Sequence, residues 1–254
     1  MTRRNLTVLL ITGFLLSFTM QHRPTVYLIG DSTVRNDNKV NWGWGSLLAN
    51  FLDTTRIQVD NQAMAGRSTR TFRTEGRWDR LLAVMKPGDY LLIQFGHNEG
   101  SPPDTSRQGY RGVLKGIGKD SLVLDWGDNK KETVYSYGEN LRRFVLQAKA
   151  FGVQPIILSM IPRNQWDDSG TVKRADKDYA LWARQIAEEQ QIPFIDLNEI
   201  TARRYEELGQ QKVKEYFPQD HTHTNYQGAL LNARSVIQGL LVSGHTLVNY
   251  IRTN

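Results

Sequence analysis

The chain has 254 residues, of which 39% are hydrophobic and 10% aromatic, and this is enough apolar material for one well-buried core. It contains no cysteine, which excludes disulfides, a thiolate nucleophile, Cys-ligated zinc and a lipid-modified cysteine in this chain. The formal net charge of +6 comes without a lysine-arginine block, so it indicates a solvated basic surface and no nucleic-acid partner, although a preference for acidic polymers also fits.

The first residues have the order of parts of a secretory signal peptide. A short basic stretch at Arg3 and Arg4 is followed by an apolar run from Leu6 to Phe18. The run is too short to span a bilayer comfortably, but an uncleaved membrane anchor is a second interpretation because no small-x-small cleavage site is evident. We expect residues 1–22 to be an export leader and residues 23–254 to be one domain. The predicted location is therefore periplasmic or extracellular, with no membrane partner beyond the leader.

From Thr25 onward, strand-like apolar runs alternate with helix-like segments. This alternation is typical of a parallel sheet with helices on both faces. We predict an α/β fold, a flavodoxin-like three-layer α/β/α domain of about five parallel strands. The predicted strands are Thr25 to Ile29, Ile57 to Asn61, Tyr90 to Phe95, Pro155 to Ile161 and Ile192 to Leu197. The predicted helices are Ser46 to Leu52, Arg77 to Met85, Tyr137 to Phe151, Asp178 to Gln190, Thr201 to Leu208 and Tyr226 to Leu241.

The stretch from Glu99 to Glu132 interrupts the alternation and is rich in glycine, proline and charge. Within and beside it, Ser121 to Trp126 and Glu132 to Tyr135 are strand-like and flank turn residues at Gly127 to Asn129. Two such runs around a short turn predict a β-hairpin. We therefore expect an insertion after the third strand. No internal repeat appears.

Ligands of an open parallel sheet bind beyond the carboxyl ends of its strands, where loops converge and helix N-termini present free N–H groups. Four short segments lie at such positions and offer a nucleophile, a glycine N–H, an amide donor and an acid-base pair. They are Gly30-Asp31-Ser32-Thr33, Ala65-Gly66-Arg67-Ser68, Gly96-His97-Asn98 and Asp220-His221-Thr222-His223. We expect all four to contribute to one site.

A serine hydroxyl is a poor nucleophile until a neighbouring base takes its proton. We predict Ser32 as the nucleophile, His223 as the base, and Asp220 as the carboxylate that fixes the imidazole tautomer and stabilises the imidazolium. The N–H groups of Ser32 and Gly66 and the side-chain amide of Asn98 are the predicted donors to the oxyanion. We expect no cofactor.

Each of these residues also has a structural interpretation. Ser32 and Asp220 are residue types that cap helices, Asn98 is a type that forms turns, and Gly66 is a type that adopts positive φ. We favour the functional interpretation of these residues because the four segments occur together. We interpret Asp31 as a structural residue that organises the turn under the serine.

Three histidines, His97, His221 and His223, raise the question of a zinc site. No carboxylate or further histidine stands at recognised metal-ligand spacing from them. We therefore expect no metal. We interpret His97 and His221 as groups that fix the loops around the site.

The same segments resemble a known superfamily. Gly30-Asp31-Ser32, Gly66, the Gly96-x-Asn98 pair and Asp220-x-x-His223, in this order, are similar to the four blocks of the SGNH (GDSL-type) hydrolases, and the resemblance covers nearly all of the mature chain. Finer details resemble the rhamnogalacturonan acetylesterase family. They are Asn41-Trp42-Gly43-Trp44-Gly45, Gly66-Arg67-Ser68-Thr69, Gln94-Phe95-Gly96-His97-Asn98, Pro162-Arg163-Asn164 and Asp220-His221-Thr222-His223-Thr224-Asn225. Glu99 departs from the pattern, which has Asp after the Gly-His-Asn run.

The resemblance implies a serine carbohydrate esterase that removes O-acetyl groups from a pectin-type polysaccharide, rhamnogalacturonan in particular, through an acetyl-Ser32 intermediate. The expected partner is this acetylated polysaccharide. Two other functions stay open. An esterase or thioesterase for other acyl groups would share the triad and differ in its pocket. A catalytically silent glycan-binding protein on the same fold is the third interpretation, and the complete triad argues against it.

Four further residues are candidates for substrate binding. Trp42 and Trp44 lie in a glycine-spaced loop just after the nucleophile turn, so they are candidates for sugar contact or for the core. Arg67 follows the predicted oxyanion glycine, and Arg163 follows the strand ending at Ile161. We expect these arginines to face uronate carboxylates, although surface ion pairs are the simpler interpretation.

Overall fold

The computed structural model describes residues 23–36, 40–106 and 110–252. The predicted leader, residues 1–22, lies outside the described residues. Across the described ranges, no helix is both long enough and apolar enough to cross a membrane.

The central sheet has five parallel strands, and its carboxyl edge is where the predicted site residues lie. In chain order, the strands of the protein are β1 (Thr25–Gly30), β2 (Gln58–Asn61), β3 (Tyr90–Gln94), β4 (Ser121–Asp125), β5 (Lys131–Tyr135), β6 (Gln154–Leu158) and β7 (Phe194–Ile195). Their spatial order in the sheet is β2-β1-β3-β6-β7, all parallel. Apart from the β4–β5 pair, this is the flavodoxin-like strand order. The predicted fold class is confirmed.

Helices cover both faces of the sheet. They are α1 (Thr69–Thr74), α2 (Arg77–Leu82), α3 (Tyr137–Ala150), α4 (Tyr179–Glu189), α5 (Leu197–Leu208), α6 (Gln210–Lys214) and α7 (Tyr226–Ser243), with 3₁₀ helices at Trp44–Phe51 and Thr246–Tyr250. Successive strand residues point to opposite faces. Leu91 of β3 accordingly packs in one core with Phe144 of α3, and Leu92 packs in a second core with Val236 of α7.

The predicted hairpin is confirmed. Strands β4 and β5 pair antiparallel, with Ser121 opposite Tyr135. Asp128 and Asn129 in the turn have φ of 48° and 61°, as the tight turns of hairpins require. Arg70 of α1 binds the hairpin, because its Nε and Nη2 each donate to the carboxylate of Glu132 at 2.7 Å.

Several predicted bounds were wrong. The segment predicted as a helix from Ser46 is a 3₁₀ helix that begins at Trp44. Its second residue, Gly45, packs so closely that a Cβ would lie 2.7 Å from Asn61 Nδ2. Helix α1 was missed, although Ser68 and Thr71 form a capping box at its start. Helix α6 and the 3₁₀ helix near the C-terminus were missed as well.

Candidate active site

A tight turn after β1 presents Ser32 at the edge of the sheet. Gly30 ends the strand where a Cβ would lie 2.4 Å from Gln94 O, so no side chain fits there. Asp31 is fully buried, and its Oδ1 accepts hydrogen bonds from Thr33 N–H at 2.8 Å and from Thr33 Oγ1 at 2.7 Å. The backbone carbonyl of Asp31 accepts the N–H groups of Val34 and Arg35, both at 3.1 Å. These bonds fix the turn beneath the serine.

The structure brings Ser32, His223 and Asp220 into one hydrogen-bonded chain. Ser32 Oγ lies 2.8 Å from His223 Nε2. On the other side of the ring, Nδ1 lies 2.6 Å from Asp220 Oδ2. If Nδ1 carries the proton, the free lone pair of Nε2 faces the serine hydroxyl. This is the geometry that proton transfer from Ser32 to His223 needs.

Asp220 is held ionised by donors on its own loop. Its Oδ1 accepts the N–H groups of Thr222 at 2.6 Å and His223 at 2.8 Å. Partial burial raises the pKa of Asp220, but hydrogen bonds from the His223 ring, His223 N–H and Thr222 N–H outweigh it and lower the pKa to about 2. A carboxylate that is ionised at all ordinary pH values can stabilise an imidazolium beside it.

The loop that carries Asp220 and His223 is attached to its neighbours on both sides. Trp42 N–H donates to Thr224 O at 2.7 Å, and Asn164 N–H donates to His221 O at 2.8 Å. Helix α7 begins directly after the loop, where the side chain of Asn225 accepts Gly228 N–H at 3.1 Å. The ring of His223 is therefore held in place by its backbone and by its carboxylate partner.

The predicted oxyanion donors lie on the loops that follow β1, β2 and β3. Gly66 has a φ of 79°, a conformation that favours glycine. Asn98 donates through Nδ2 to Arg67 O at 3.0 Å, and its Oδ1 accepts from Arg111 Nη1 at 2.7 Å. These bonds fix the plane of the amide while one Nδ2 hydrogen stays available. Neither Ser32 N–H nor Gly66 N–H donates to an acceptor in the described part of the protein.

Glu99 joins two of these loops, a role that the sequence did not indicate. Its side chain is fully buried, with Oε1 accepting Thr69 N–H and Oε2 accepting Asn98 N–H, both at 2.9 Å. Burial, together with the charge of Asp31, raises the pKa of Glu99 to about 8 against the opposing effect of these hydrogen bonds. Glu99, the residue at which the sequence departs from the family pattern, therefore connects the loop after β2 to the loop after β3. Arg111, which orients Asn98, was also missed, because it lies in the insertion and no pattern marks it.

His97 lies among charged groups without a hydrogen bond to its ring. Both ring nitrogens are buried and have no partner in the described residues. Burial lowers the pKa of His97 to about 4, and although Asp31 opposes this shift, Arg163, His223 and His221 contribute to it. The ring is therefore neutral at neutral pH. Over the ranges that the structure covers, no three or more His, Asp or Glu side chains are grouped in a way that holds a metal ion.

The two candidate tryptophans occupy different environments. Trp42 is 36% exposed, and its ring meets that of Tyr226 edge to face with centroids 5.1 Å apart. The prediction of a sugar contact for Trp44 is wrong, because its side chain is only 1% exposed and its Nε1 donates to Gln94 Oε1 at 2.7 Å. A ring that is enclosed in the core cannot reach a substrate.

The two candidate arginines differ in their hydrogen-bond partners. Arg67 Nε donates to both carboxylate oxygens of Glu75, at 3.1 and 3.0 Å, and Nη1 donates to Ala65 O. Within the described residues, the side chain of Arg163 makes only a long hydrogen bond, 3.4 Å from Nη2 to His97 O, and its buried Nε has no partner. The structure thus places Arg163, and not Arg67, with an unsatisfied guanidinium near the histidines.

A doubly covered parallel sheet whose carboxyl edge carries a Ser–His–Asp chain is typical of serine ester hydrolases. The family model of the GDSL-like Lipase/Acylhydrolase family matches residues 28–231, and the chain belongs to this family. It is a carboxylic ester hydrolase, and the resemblance seen in the sequence is confirmed.

Relatives of known name agree with this class, and solved structures share the fold. The chain is 31% identical to a rhamnogalacturonan acetylesterase of Emericella nidulans over 88% of this chain and 87% of the relative. It is 30% identical to the probable rhamnogalacturonan acetylesterase YesY of Bacillus subtilis over 89% of this chain and 96% of the relative. The crystal structure of YxiM from Bacillus subtilis superposes with a TM-score of 0.71 at 26% identity, covering 89% of this chain and 58% of that chain. The acetylxylan esterase Axe2 of Geobacillus stearothermophilus shares the fold, with a TM-score of 0.57 at 20% identity over 91% of this chain and 97% of that chain.

Proposed function

We propose that the protein is a serine carbohydrate esterase that removes O-acetyl groups from a pectin-type polysaccharide, rhamnogalacturonan in particular. The observation that carries the catalytic part is the hydrogen-bonded chain from Asp220 through His223 to Ser32, with distances of 2.6 and 2.8 Å. The polysaccharide part is supported by the names of two relatives, which are rhamnogalacturonan acetylesterases at about 30% identity.

In the first half of the reaction, Ser32 Oγ attacks the acetyl carbonyl carbon while His223 Nε2 takes the hydroxyl proton. The tetrahedral intermediate carries its negative charge on the former carbonyl oxygen. Three donors stabilise this charge: the N–H groups of Ser32 and Gly66 and the free Nδ2 hydrogen of Asn98. Each donor lowers the activation barrier by about 3 kcal/mol. The intermediate collapses when the bond between the acetyl carbon and the sugar oxygen breaks. The sugar oxygen takes the proton from His223, and the acetyl group stays on Ser32.

In the second half, a water molecule takes the place of the sugar. His223 removes a proton from the water as its oxygen attacks the acetyl carbon, and the same donors hold the second oxyanion. The bond to Ser32 Oγ then breaks, Ser32 regains its proton from His223, and acetate leaves. Asp220 stabilises the imidazolium in both halves and keeps its own proton state throughout.

The experiment that tests this proposal is acetate release from a panel of substrates by the purified protein. The panel consists of acetylated rhamnogalacturonan, acetylated homogalacturonan, acetylated xylan and synthetic esters of increasing acyl length. Acetylated rhamnogalacturonan should be the preferred substrate. A preference for longer acyl chains would instead indicate an esterase of different specificity. A preference for acetylated xylan would contradict the proposed polysaccharide and indicate xylan as the substrate.

The nucleophile is tested with the same assay. Ser32→Ala should abolish ester hydrolysis while leaving the circular dichroism spectrum unchanged, because within the described residues the side chain forms a hydrogen bond to His223 alone. The wild-type protein stopped with acid during turnover should carry one acetyl group on the peptide containing Ser32. A folded Ser32→Ala variant with activity within tenfold of the wild type would contradict the assignment.

We also propose that residues 1–22 direct export to the periplasm or the outside of the cell. The basis is the basic stretch followed by the apolar run from Leu6 to Phe18. Fractionation of the producing cells and mass spectrometry of the protein's N-terminus test this. Full-length protein in the cytoplasm would contradict it.

A further inference from the structure

Next to the catalytic groups, the carboxyl ends of β3 and β6 border a cavity of about 300 Å³. Gly96 and His97, which follow β3, form one wall, and Met160 and Arg163, which follow β6, form another. Tyr179, the first residue of α4, lines it as well. The volume is at the small end for ligand pockets, so the cavity suits one sugar unit. Since β1 and β3 are neighbours in the sheet, a polymer lying along this edge passes from Ser32 to the cavity.

Several polar atoms of these lining residues are unsatisfied. Arg163 Nε and Tyr179 Oη are buried and have no hydrogen-bond partner within the described ranges, and the same is true of both ring nitrogens of His97. The residue Tyr179 as a whole is only 9% exposed. Buried polar groups in folded proteins nearly always have partners. A polar group or a water molecule that enters the cavity would supply the partners that these atoms lack.

The charges around the cavity favour an anion. The second guanidinium in the wall, that of Arg174, is neutralised by two glutamates of α5. The acidic lining residue, Asp178, uses Oδ1 to accept Tyr179 N–H at 2.6 Å. Arg163 makes its single long hydrogen bond to a backbone carbonyl. The guanidinium of Arg163 thus lacks an acidic partner among the described side chains, and so does the ammonium group of Lys173, which also lines the cavity.

The two neutral groups do not oppose an anion. Burial lowers the pKa of His97 to about 4, so the ring is uncharged at neutral pH and can donate one N–H. Burial, together with Glu99 and Asp178, raises the pKa of Tyr179 to about 12, so its hydroxyl stays a donor.

We propose that this cavity is a carboxylate subsite, in which Arg163 and Tyr179 hold the carboxylate of a uronate unit adjacent to the acetylated sugar. A guanidinium can donate two parallel N–H···O bonds to a carboxylate. The inference rests on the proposed function, because a pectic substrate is what supplies a uronate. It assigns charge recognition to Arg163 and removes it from Arg67, whose Nε is already bound by Glu75.

The kinetic test compares acetylated rhamnogalacturonan oligosaccharides with the same oligosaccharides after methyl esterification of their carboxylates. Arg163→Gln should raise KM for the charged substrate by about tenfold or more relative to its effect on the esterified one, with little change in kcat, because the contact exists in ground and transition states alike. Tyr179→Phe, which removes one hydroxyl, should raise the same ratio by a few-fold. The matched control is Arg203→Gln, a surface arginine with a side chain 72% exposed, and it should leave both KM values unchanged.

A binding experiment separates this proposal from the proposed function. Calorimetric titration with digalacturonate needs no hydrolysis, and the wild type should bind it at least tenfold more tightly than Arg163→Gln does, while Arg203→Gln should match the wild type. If the wild type binds digalacturonate in this way but releases no acetate from pectic polymers, the subsite stands and the proposed substrate is wrong. If it releases acetate, yet the Arg163 and Tyr179 variants treat charged and esterified substrates alike, the subsite is wrong and the esterase assignment stands.

Discussion

Replacing the Asp220 carboxylate with an amide tests the hydrogen-bonded chain with a minimal change of shape. In Asp220→Asn, one oxygen must still accept the N–H groups of Thr222 and His223, which lie 2.6 and 2.8 Å from Oδ1 in the wild type. The amide oxygen therefore takes the Oδ1 position, and the NH₂ group faces His223 Nδ1 across the former 2.6 Å contact. Two donors cannot share one hydrogen bond, so the ring must lose the Nδ1 proton and keep the one on Nε2.

A protonated Nε2 cannot accept the proton of Ser32. We therefore expect kcat of Asp220→Asn to fall by about 10⁴-fold, which corresponds to about 5.5 kcal/mol in the barrier. KM should change little, because the substituted atom faces the histidine and not the bound ester. The decrease should be the same on para-nitrophenyl acetate and on acetylated rhamnogalacturonan, since both need the same base.

Asp167→Asn is the matched control. The Oδ1 atom of Asp167 likewise accepts two backbone N–H groups, from Ser169 at 3.0 Å and Thr171 at 2.9 Å, in an exposed turn. This variant should keep wild-type kcat. The tautomer argument is refuted if a folded Asp220→Asn protein retains kcat within tenfold of the wild type, or if Asp167→Asn loses as much activity.

Three further expectations concern the oxyanion loops and the core. Asn98→Ala should lower kcat about 10²–10³-fold with a smaller change in KM, and an effect confined to KM would make Asn98 a substrate-binding residue. Trp44→Phe should lower the free energy of unfolding in urea by about 1–3 kcal/mol, because Gln94 Oε1 loses its buried donor, whereas wild-type stability would contradict this. Glu99 has a folded-state pKa of about 8, above the ordinary 4.5 of an unfolded chain, so wild-type stability gained from its protonated form is lost as pH rises between these values. The stability advantage of the wild type over Glu99→Gln should therefore shrink from pH 5 to pH 9, and a difference independent of pH would show that Glu99 does not titrate there.

The strands were predictable because their apolar runs are short and bounded by turn residues. Tyr90 to Phe95 was predicted and Tyr90–Gln94 is observed. The start of α5 was harder to predict from the sequence. Asp196 continues an apolar run in the sequence, but its Oδ1 accepts Glu199 N–H at 3.2 Å, so the helix begins at Leu197 and β7 keeps only Phe194–Ile195. Local pattern alone does not tell a strand end from a helix cap.

The site likewise contains residues that the sequence pattern predicted and residues whose position depends on packing. The segment identities of Ser32 and His223 placed them at one edge, and the structure finds them 2.8 Å apart. Trp42 and Trp44 have the same residue type and nearly the same neighbours, so only packing distinguishes the exposed ring from the buried one. Arg111 comes from an insertion whose path no periodicity describes, and its contact with Asn98 depends on that path.

The buried carboxyl group of Glu99, which joins two loops, also limits which substitutions this site can accept during evolution. Because Glu99 accepts one N–H from each loop, exchanging it for Asp shortens the link by one methylene, and the loops must move together to keep both bonds. A single codon change at this position is therefore costly unless a compensating shift near Thr69 or Asn98 is already in place. Homologues with Asp at this position and those with Glu should accordingly differ together in both loops, a pattern of paired substitution that comparison of their sequences can reveal.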